Sequence, residues 1–121
     1  MTIDFEFLDS FDRKRILLVD DDPFILGVLE KLLGLLGIAT VLHAGDGEQA
    51  LRLLDQNAVD LLITDVQMPN LDGLSLLKRI RSGQSSAAAS LPCIVVSSLD
   101  DEATLATALA LDVNGFVQKP F

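Results

Sequence analysis

Asp20 and Asp21 follow the apolar run Ile16 to Val19, Asp65 follows Leu61 to Thr64, Ser97 follows Cys93 to Val96, and Lys119 follows Phe116 to Gln118. If those runs are strands of one parallel sheet, their ends share an edge, and ligands of open α/β sheets sit outside the carboxyl ends of the strands. Three carboxylates, a hydroxyl and an ammonium then converge on one small site. Carboxylates about 4 Å apart repel by on the order of 4 kcal/mol per pair at an effective dielectric of about 20, so such a cluster takes up protons or binds a cation. A set of carboxylate oxygens with no cysteine or histidine beside it favours Mg²⁺, with Mn²⁺ the alternative; both keep several waters and also bind phosphate oxygens. The competing reading, acids serving only as helix caps and turn formers, accounts for Asp22 and Asp72 but not for Asp20, Asp21 and Asp65 together.

A carboxylate can attack phosphorus to give a mixed anhydride, a step that needs charge neutralisation rather than a proton shuttle. A phosphoryl group on Asp65 would need a metal on one side and a cation on the other, and Lys119 supplies the second. Ser97 can donate to a phosphoryl oxygen. The pattern therefore suits phosphoryl chemistry at Asp65, assisted by Ser97 and Lys119, with Asp20, Asp21 and Asp65 holding the metal.

Placing those groups requires an alternating α/β chain, and the sequence carries one. Residues 16–19, 39–42, 61–64, 93–96 and 116–118 are short, mostly apolar runs rich in Val and Ile, as in strands covered on both faces. Between them the period becomes helical. After the N-cap Asp22 and Pro23, the residues Ile25, Val28, Leu29, Leu32, Leu33 and Leu36 predict one core-facing stripe, closed by Gly37. A second helix starts at Asp46, with Gln49 three residues on, and buries Ala50, Leu51 and Leu54. A third follows Asp72-Gly73, burying Leu76, Leu77 and Ile80 while Lys78, Arg79 and Arg81 face water; a fourth runs from about Asp101 to Leu111. Strands alternating with helices of this length imply right-handed crossovers and a parallel sheet with helices on both faces. Residues 82–91 read as a long, small and polar connection.

The 121 residues fit a single domain, and half of them are apolar, enough for one core. A formal charge of −9, without a basic run, argues against nucleic acid or anionic lipid as a partner of this segment. Cys93 is the sole cysteine and sits in an apolar run, so it reads as a small buried hydrophobe. His43 is the sole histidine and reads as a surface residue rather than a ligand. With no membrane-length apolar stretch and no signal core, the expectation is a soluble, cytoplasmic protein. Residues 1–14 form an N-terminal extension in which Phe5, Phe7 and Phe11 alternate with acids, suited to packing or to contact with another chain.

Four strings, Leu17-Leu-Val-Asp20-Asp21-Asp22-Pro23, Asp65-Val-Gln67-Met-Pro69-Asn-Leu-Asp72-Gly73, Val95-Val-Ser97-Ser98 and Gly115-Phe116-Val-Gln-Lys119-Pro120-Phe121, together resemble the CheY-like receiver domain of two-component response regulators. The resemblance covers residues 15–121. It implies a flavodoxin-like, doubly wound five-stranded parallel sheet of order 2-1-3-4-5, the order the chemotaxis regulator itself exemplifies. It further implies that Asp65 accepts phosphate from a sensor histidine kinase or histidine phosphotransfer protein, and that Mg²⁺ is held by Asp20, Asp21, Asp65 and the backbone carbonyl of Gln67. By the same resemblance Ser97 and Phe116 form a switch, Lys119 pairs with the phosphoryl group, and a cis Lys119-Pro120 bond aims the lysine. Gln67 and Leu99 would border the attacking water and bear on the phosphoryl lifetime. The domain would signal to an output domain or effector and catalyse only its own phosphorylation and dephosphorylation.

The chain departs from the family in two places. Asp112 stands where receivers often carry glycine, and the chain stops at Phe121, before the fifth helix that covers one face of the last strand. Either the sequence is cut from a longer regulator, or the N-terminal segment or a second copy, as a homodimer, covers that surface; association or low stability is expected of the chain by itself. A haloacid-dehalogenase-like phosphatase uses the same aspartyl chemistry but needs a second acid two residues on, where Gln67 stands. A nucleotide or flavin module on the same architecture would carry a glycine-rich phosphate loop after the first strand, and none is present. A degenerate receiver acting only as an interaction module would not need five chemically intact site positions.

Overall fold

The computed structural model describes residues 13–98 and 101–119. Nine elements alternate along the chain: β1 (Arg15–Val19), α1 (Pro23–Leu35), β2 (Thr40–Ala44), α2 (Gly47–Gln56), β3 (Leu61–Thr64), α3 (Gly73–Arg81), β4 (Cys93–Ser97), α4 (Glu102–Ala110) and β5 (Gly115–Gln118). All four pairings are parallel and the order is β2-β1-β3-β4-β5, as the resemblance implies. Val19 lies level with both Ala44 and Thr64, and Ser97 with Gln118, so the residues after β1 and β3 leave the sheet side by side. Phe5, Phe7, Phe11, Leu99, Pro120 and Phe121 lie outside the described residues.

Alternation along each strand divides the core in two. Leu17, Val19, Leu62 and Val95 face α2, α3 and α4, where Ala50, Leu54, Leu76, Leu77, Ile80 and Ala108 complete one cluster. Full burial of a leucine or isoleucine there contributes about 1.5–3 kcal/mol, which is why α3 forms around Leu76, Leu77 and Ile80. Ile16, Leu18, Ile63 and Val96 face the other way, toward Leu26, Leu29 and Leu33 of α1.

The helix starts are set by their caps. Asp22, Asp46, Asp72 and Asp101 each accept a backbone N–H of the first turn, from Phe24, Gln49, Ser75 and Thr104 respectively. Two expectations need correction. In α1 the core-facing residues are Leu26, Leu29 and Leu33, whereas Leu32 and Leu36 are 46% and 64% exposed. The apolar pairs Ile25-Leu26, Val28-Leu29 and Leu32-Leu33 put hydrophobic residues on adjacent faces, and period alone does not choose between them. Phe24 is 73% exposed as well.

Arg81 is half-buried rather than turned to water. Its guanidinium donates to the carbonyls of Leu111 (2.7 Å), Ala89 (2.8 Å), Leu91 (2.7 Å) and Asp112 (3.3 Å). These bonds tie α3 to the 82–91 connection and to the turn after α4. His43 is exposed, 3.2 Å from Glu30, and Cys93 is buried, in line with their expected places. No helix among the described residues is long and apolar enough to cross a membrane.

Candidate functional site

The carboxyl ends of β1 and β3 deliver the acids. Asp20 continues β1 with its N–H on the Ala44 carbonyl (3.1 Å), and Asp65 continues β3 with its N–H on Val19 (2.8 Å). One carboxylate oxygen from each of Asp20, Asp21 and Asp65 lies within 4.8 Å of the others. Asp20 and Asp65 are buried and Asp21 is exposed, so the cluster has a protein side and an open side. Lys119, at the end of β5, reaches Asp20 Oδ2 at 2.7 Å and Asp65 Oδ2 at 3.4 Å. Its backbone N–H is held by the Ser97 carbonyl at 2.8 Å, which joins the ends of β4 and β5 at the same edge.

The other oxygen of each buried acid takes one backbone N–H. Asp20 Oδ1 accepts from the N–H of Asp22 (2.9 Å) and Asp65 Oδ1 from that of Val66 (2.7 Å). Burial, joined by the Asp20 charge, holds the Asp65 carboxyl above its ordinary value of 3.8, although the Val66 N–H and Lys119 pull the other way. Desolvation works against the Lys119 ammonium, but its bond to Asp20 and the nearby Asp65 charge outweigh it, leaving its pKa above the ordinary 10.5. Three carboxylates against one ammonium leave net negative charge among hard oxygen donors, the environment that a small divalent cation satisfies.

Of the other residues singled out in the sequence, Ser97 is buried at the end of β4, and Phe116 is half-buried on β5 opposite Val95. Gln67 is exposed on the loop after Asp65, beside a cavity of about 580 Å³ lined by Asp21, Val66, Gln67, Met68, Asp72 and Leu74. Of the three acids, Asp21 lines that cavity.

Two supporting residues escaped sequence reasoning. Gly73, already visible in the Asp72-Gly73 pair, packs directly against the backbone of Asp65: a Cβ there would lie 1.9 Å from the Asp65 carbonyl oxygen. Thr64 is buried and its hydroxyl donates to the same carbonyl at 2.9 Å. A threonine ending an apolar strand was the available signal, but strand propensity alone explains it equally well.

A family model described as response regulator receiver domain matches residues 16–121. Chemotaxis protein CheY1 of Helicobacter pylori is 37% identical over 108 residues, covering 88% of this chain and 86% of that protein. A probable transcriptional regulator, ycf27 of Guillardia theta, is 36% identical over 94% of this chain, which spans 42% of the regulator's length. Among solved structures, the N-terminal domain of an uncharacterized protein from Wolinella succinogenes superposes with a TM-score of 0.80 at 34% identity, covering 89% of this chain and 83% of that one. The CheX–CheY–BeF3–Mg²⁺ complex from Borrelia burgdorferi gives 0.79 at 26% identity, with 89% and 79% covered. With a profile that runs from β1 to the last residue and a relative of similar length matched almost end to end, the chain belongs to the family of response regulator receiver domains.

Proposed function

We propose that this receiver domain is switched by phosphorylation of Asp65. The observation that carries the proposal is the meeting of Asp20, Asp21 and Asp65 within 4.8 Å, with the Lys119 ammonium 3.4 Å from Asp65. The donor is a phosphohistidine of a sensor histidine kinase or a histidine phosphotransfer protein. An Asp65 carboxylate oxygen forms a bond to phosphorus as the phosphorus–nitrogen bond breaks, and the imidazole keeps the electron pair and takes a proton from solvent. Hydrolysis reverses the state: water attacks phosphorus, the oxygen–phosphorus bond breaks, and inorganic phosphate leaves the free carboxylate.

The all-oxygen donor set fits Mg²⁺, or Mn²⁺, with Asp20, Asp21, Asp65 and the Gln67 carbonyl as ligands. When bound, the cation neutralises charge on the phosphoryl oxygens. Lys119, now shared between Asp20 and Asp65, is in reach of a phosphoryl oxygen on Asp65, and Ser97 donates to another. Ser97 and Phe116 then report the modified state by shifting within the β4–β5 edge, to be read by an output domain or effector protein. The Borrelia burgdorferi relative, a complex holding BeF3 and Mg²⁺, supports the same pairing of cation and phosphoryl-like group here. The domain catalyses only reactions of its own aspartate, and works in the cytoplasm beside its kinase. Intact mass after incubation with acetyl phosphate and Mg²⁺ tests this: the chain gains one phosphoryl group and Asp65→Asn gains none. Equal labelling of the two would overturn it.

A further inference from the structure

The loop from Asp65 to Asp72 carries an acid and the Gln67 carbonyl, so its placement decides how well a cation is held. Its first residue is anchored to the sheet through the Asp65 N–H on Val19, and its far end is closed back on its start by the Gly73 N–H on the Val66 carbonyl (2.9 Å). The middle of the loop, with Gln67, Pro69 and Asn70 exposed, leans elsewhere. Asn70 Nδ2 donates to Asp46 Oδ2 at 2.7 Å, and the Gly47 N–H donates to the Leu71 carbonyl at 3.0 Å. Both tethers end where the turn after β2 enters α2, at Asp46 and Gly47.

That turn is itself cross-bonded. Asp46 divides its carboxylate, Oδ1 capping α2 through the Gln49 N–H (2.8 Å) and Oδ2 taking Asn70. Gln49 in turn accepts from the Gly45 N–H at 2.7 Å. The turn and the loop are in backbone contact, because a Cβ on Gly47 would stand 2.5 Å from the Leu71 carbonyl oxygen. Asn70 has φ 67°, a left-handed conformation that asparagine accepts more readily than most residues, and its amide supplies a donor that glycine would lack.

We infer that Asp46 and Asn70 are positioning residues for cation binding: they brace the acid-bearing loop from outside the site. The inference rests on the reading of the acid cluster given above. A loop already held at Asn70 and Leu71 loses less conformational freedom when the Gln67 carbonyl is engaged, so removing the brace weakens the cation more than the fold.

The test is Mg²⁺ titration of the full chain by calorimetry, with four variants. Asp46→Ser keeps a capping oxygen and loses the brace; Asn70→Gly keeps the backbone conformation and loses the donor; Asp46→Asn keeps cap and brace, with the Asn70 amide turned round, and loses only the charge. The double variant Asp46→Ser/Asn70→Gly completes a cycle. Asp46→Ser and Asn70→Gly are each expected to weaken Mg²⁺ binding about threefold to tenfold, the lower range for supporting groups of metal sites. The double variant should be no weaker than either, and Asp46→Asn should stay within about twofold of the unsubstituted chain. Amide exchange in the metal-free protein should quicken at Gly47, whose acceptor is Leu71, while α3 stays protected. Unchanged affinity in both single variants, or equal loss in Asp46→Asn, would overturn the brace. An unsubstituted chain that binds no Mg²⁺ would overturn the reading of the acid cluster, and the brace with it.

Discussion

Replacing Asp65 with asparagine removes one negative charge from a pocket that holds three carboxylates and one ammonium. The Val66 N–H can keep its acceptor, so the change is mainly electrostatic. At the 4.8 Å limit of the cluster, each repulsion on Asp65 is worth about 3.5 kcal/mol at an effective dielectric of about 20. Two such terms, from Asp20 and Asp21, oppose about 5 kcal/mol of attraction to Lys119 at 3.4 Å. Exposed Asp21 is screened, which trims its share, while burying the Asp65 charge adds a cost on the same side as the repulsions. The balance favours the amide by about 1–2 kcal/mol without metal, or about 4–8 °C in Tm for a domain of this size. Ionised Asp65 is thus a liability that a cation relieves. Mg²⁺ at about 100 times its Kd adds about 2.7 kcal/mol to the unsubstituted chain and little to the variant. Thermal melts in EDTA and then in Mg²⁺ should therefore show the variant ahead first and the gap closed or reversed second. A variant less stable in EDTA, or shifted by Mg²⁺ as far as the unsubstituted chain, would refute the electrostatic argument.

Arg81→Met removes four carbonyl contacts at the opposite edge of the sheet and should cost about 2–3 kcal/mol in urea unfolding, with Mg²⁺ affinity unchanged. Gly73→Ala sets a methyl against the Asp65 carbonyl and should cost about 3 kcal/mol or more, together with the Mg²⁺-induced rise in Tm. The Cys93 thiol is pushed up by burial from 9.0 to about 11. Because its native pKa is the higher one, its contribution to stability is full below pH 9 and lost as pH rises toward 11; relative to Cys93→Ala the fall should approach about 1.4 kcal/mol per pH unit. A thiol reagent at pH 8 should accordingly label the unfolded chain quickly and the native one slowly.

Much of the fold could be read along the chain because both of its periods are local. The run Leu61 to Thr64 matches β3 residue for residue, and each aspartate expected to open a helix does so. The second strand is displaced from 39–42 to Thr40–Ala44: as an edge strand it keeps Val41 and Leu42 only half-buried and His43 exposed, so its apolar signal stops short of its true end. The buried face of α1 was ambiguous because neighbouring positions are equally apolar, and only the sheet beneath selects Leu26, Leu29 and Leu33. Arg81 was misread because its acceptors are backbone carbonyls, which carry no residue signature. Asp112 has φ 56°, the left-handed conformation for which glycine is the usual choice and which aspartate adopts more readily than most residues, so the backbone keeps the family's turn despite the departure. The acid site was the easiest part, since strand ends place Asp20, Asp65 and Lys119 whatever the loops do. The bond from Asn70 to Asp46 was the hardest, because it depends on two loop conformations that no short spacing encodes.

Borohydride reduction converts an aspartyl phosphate to homoserine and so marks the acceptor permanently. After acetyl phosphate and Mg²⁺, peptide mapping of the reduced chain should find homoserine at position 65 alone, and none when Mg²⁺ is withheld by EDTA. Homoserine at position 20 or 21, or none at all under either condition, would contradict a site in which the buried acid of β3 is the nucleophile and its two neighbours hold the cation.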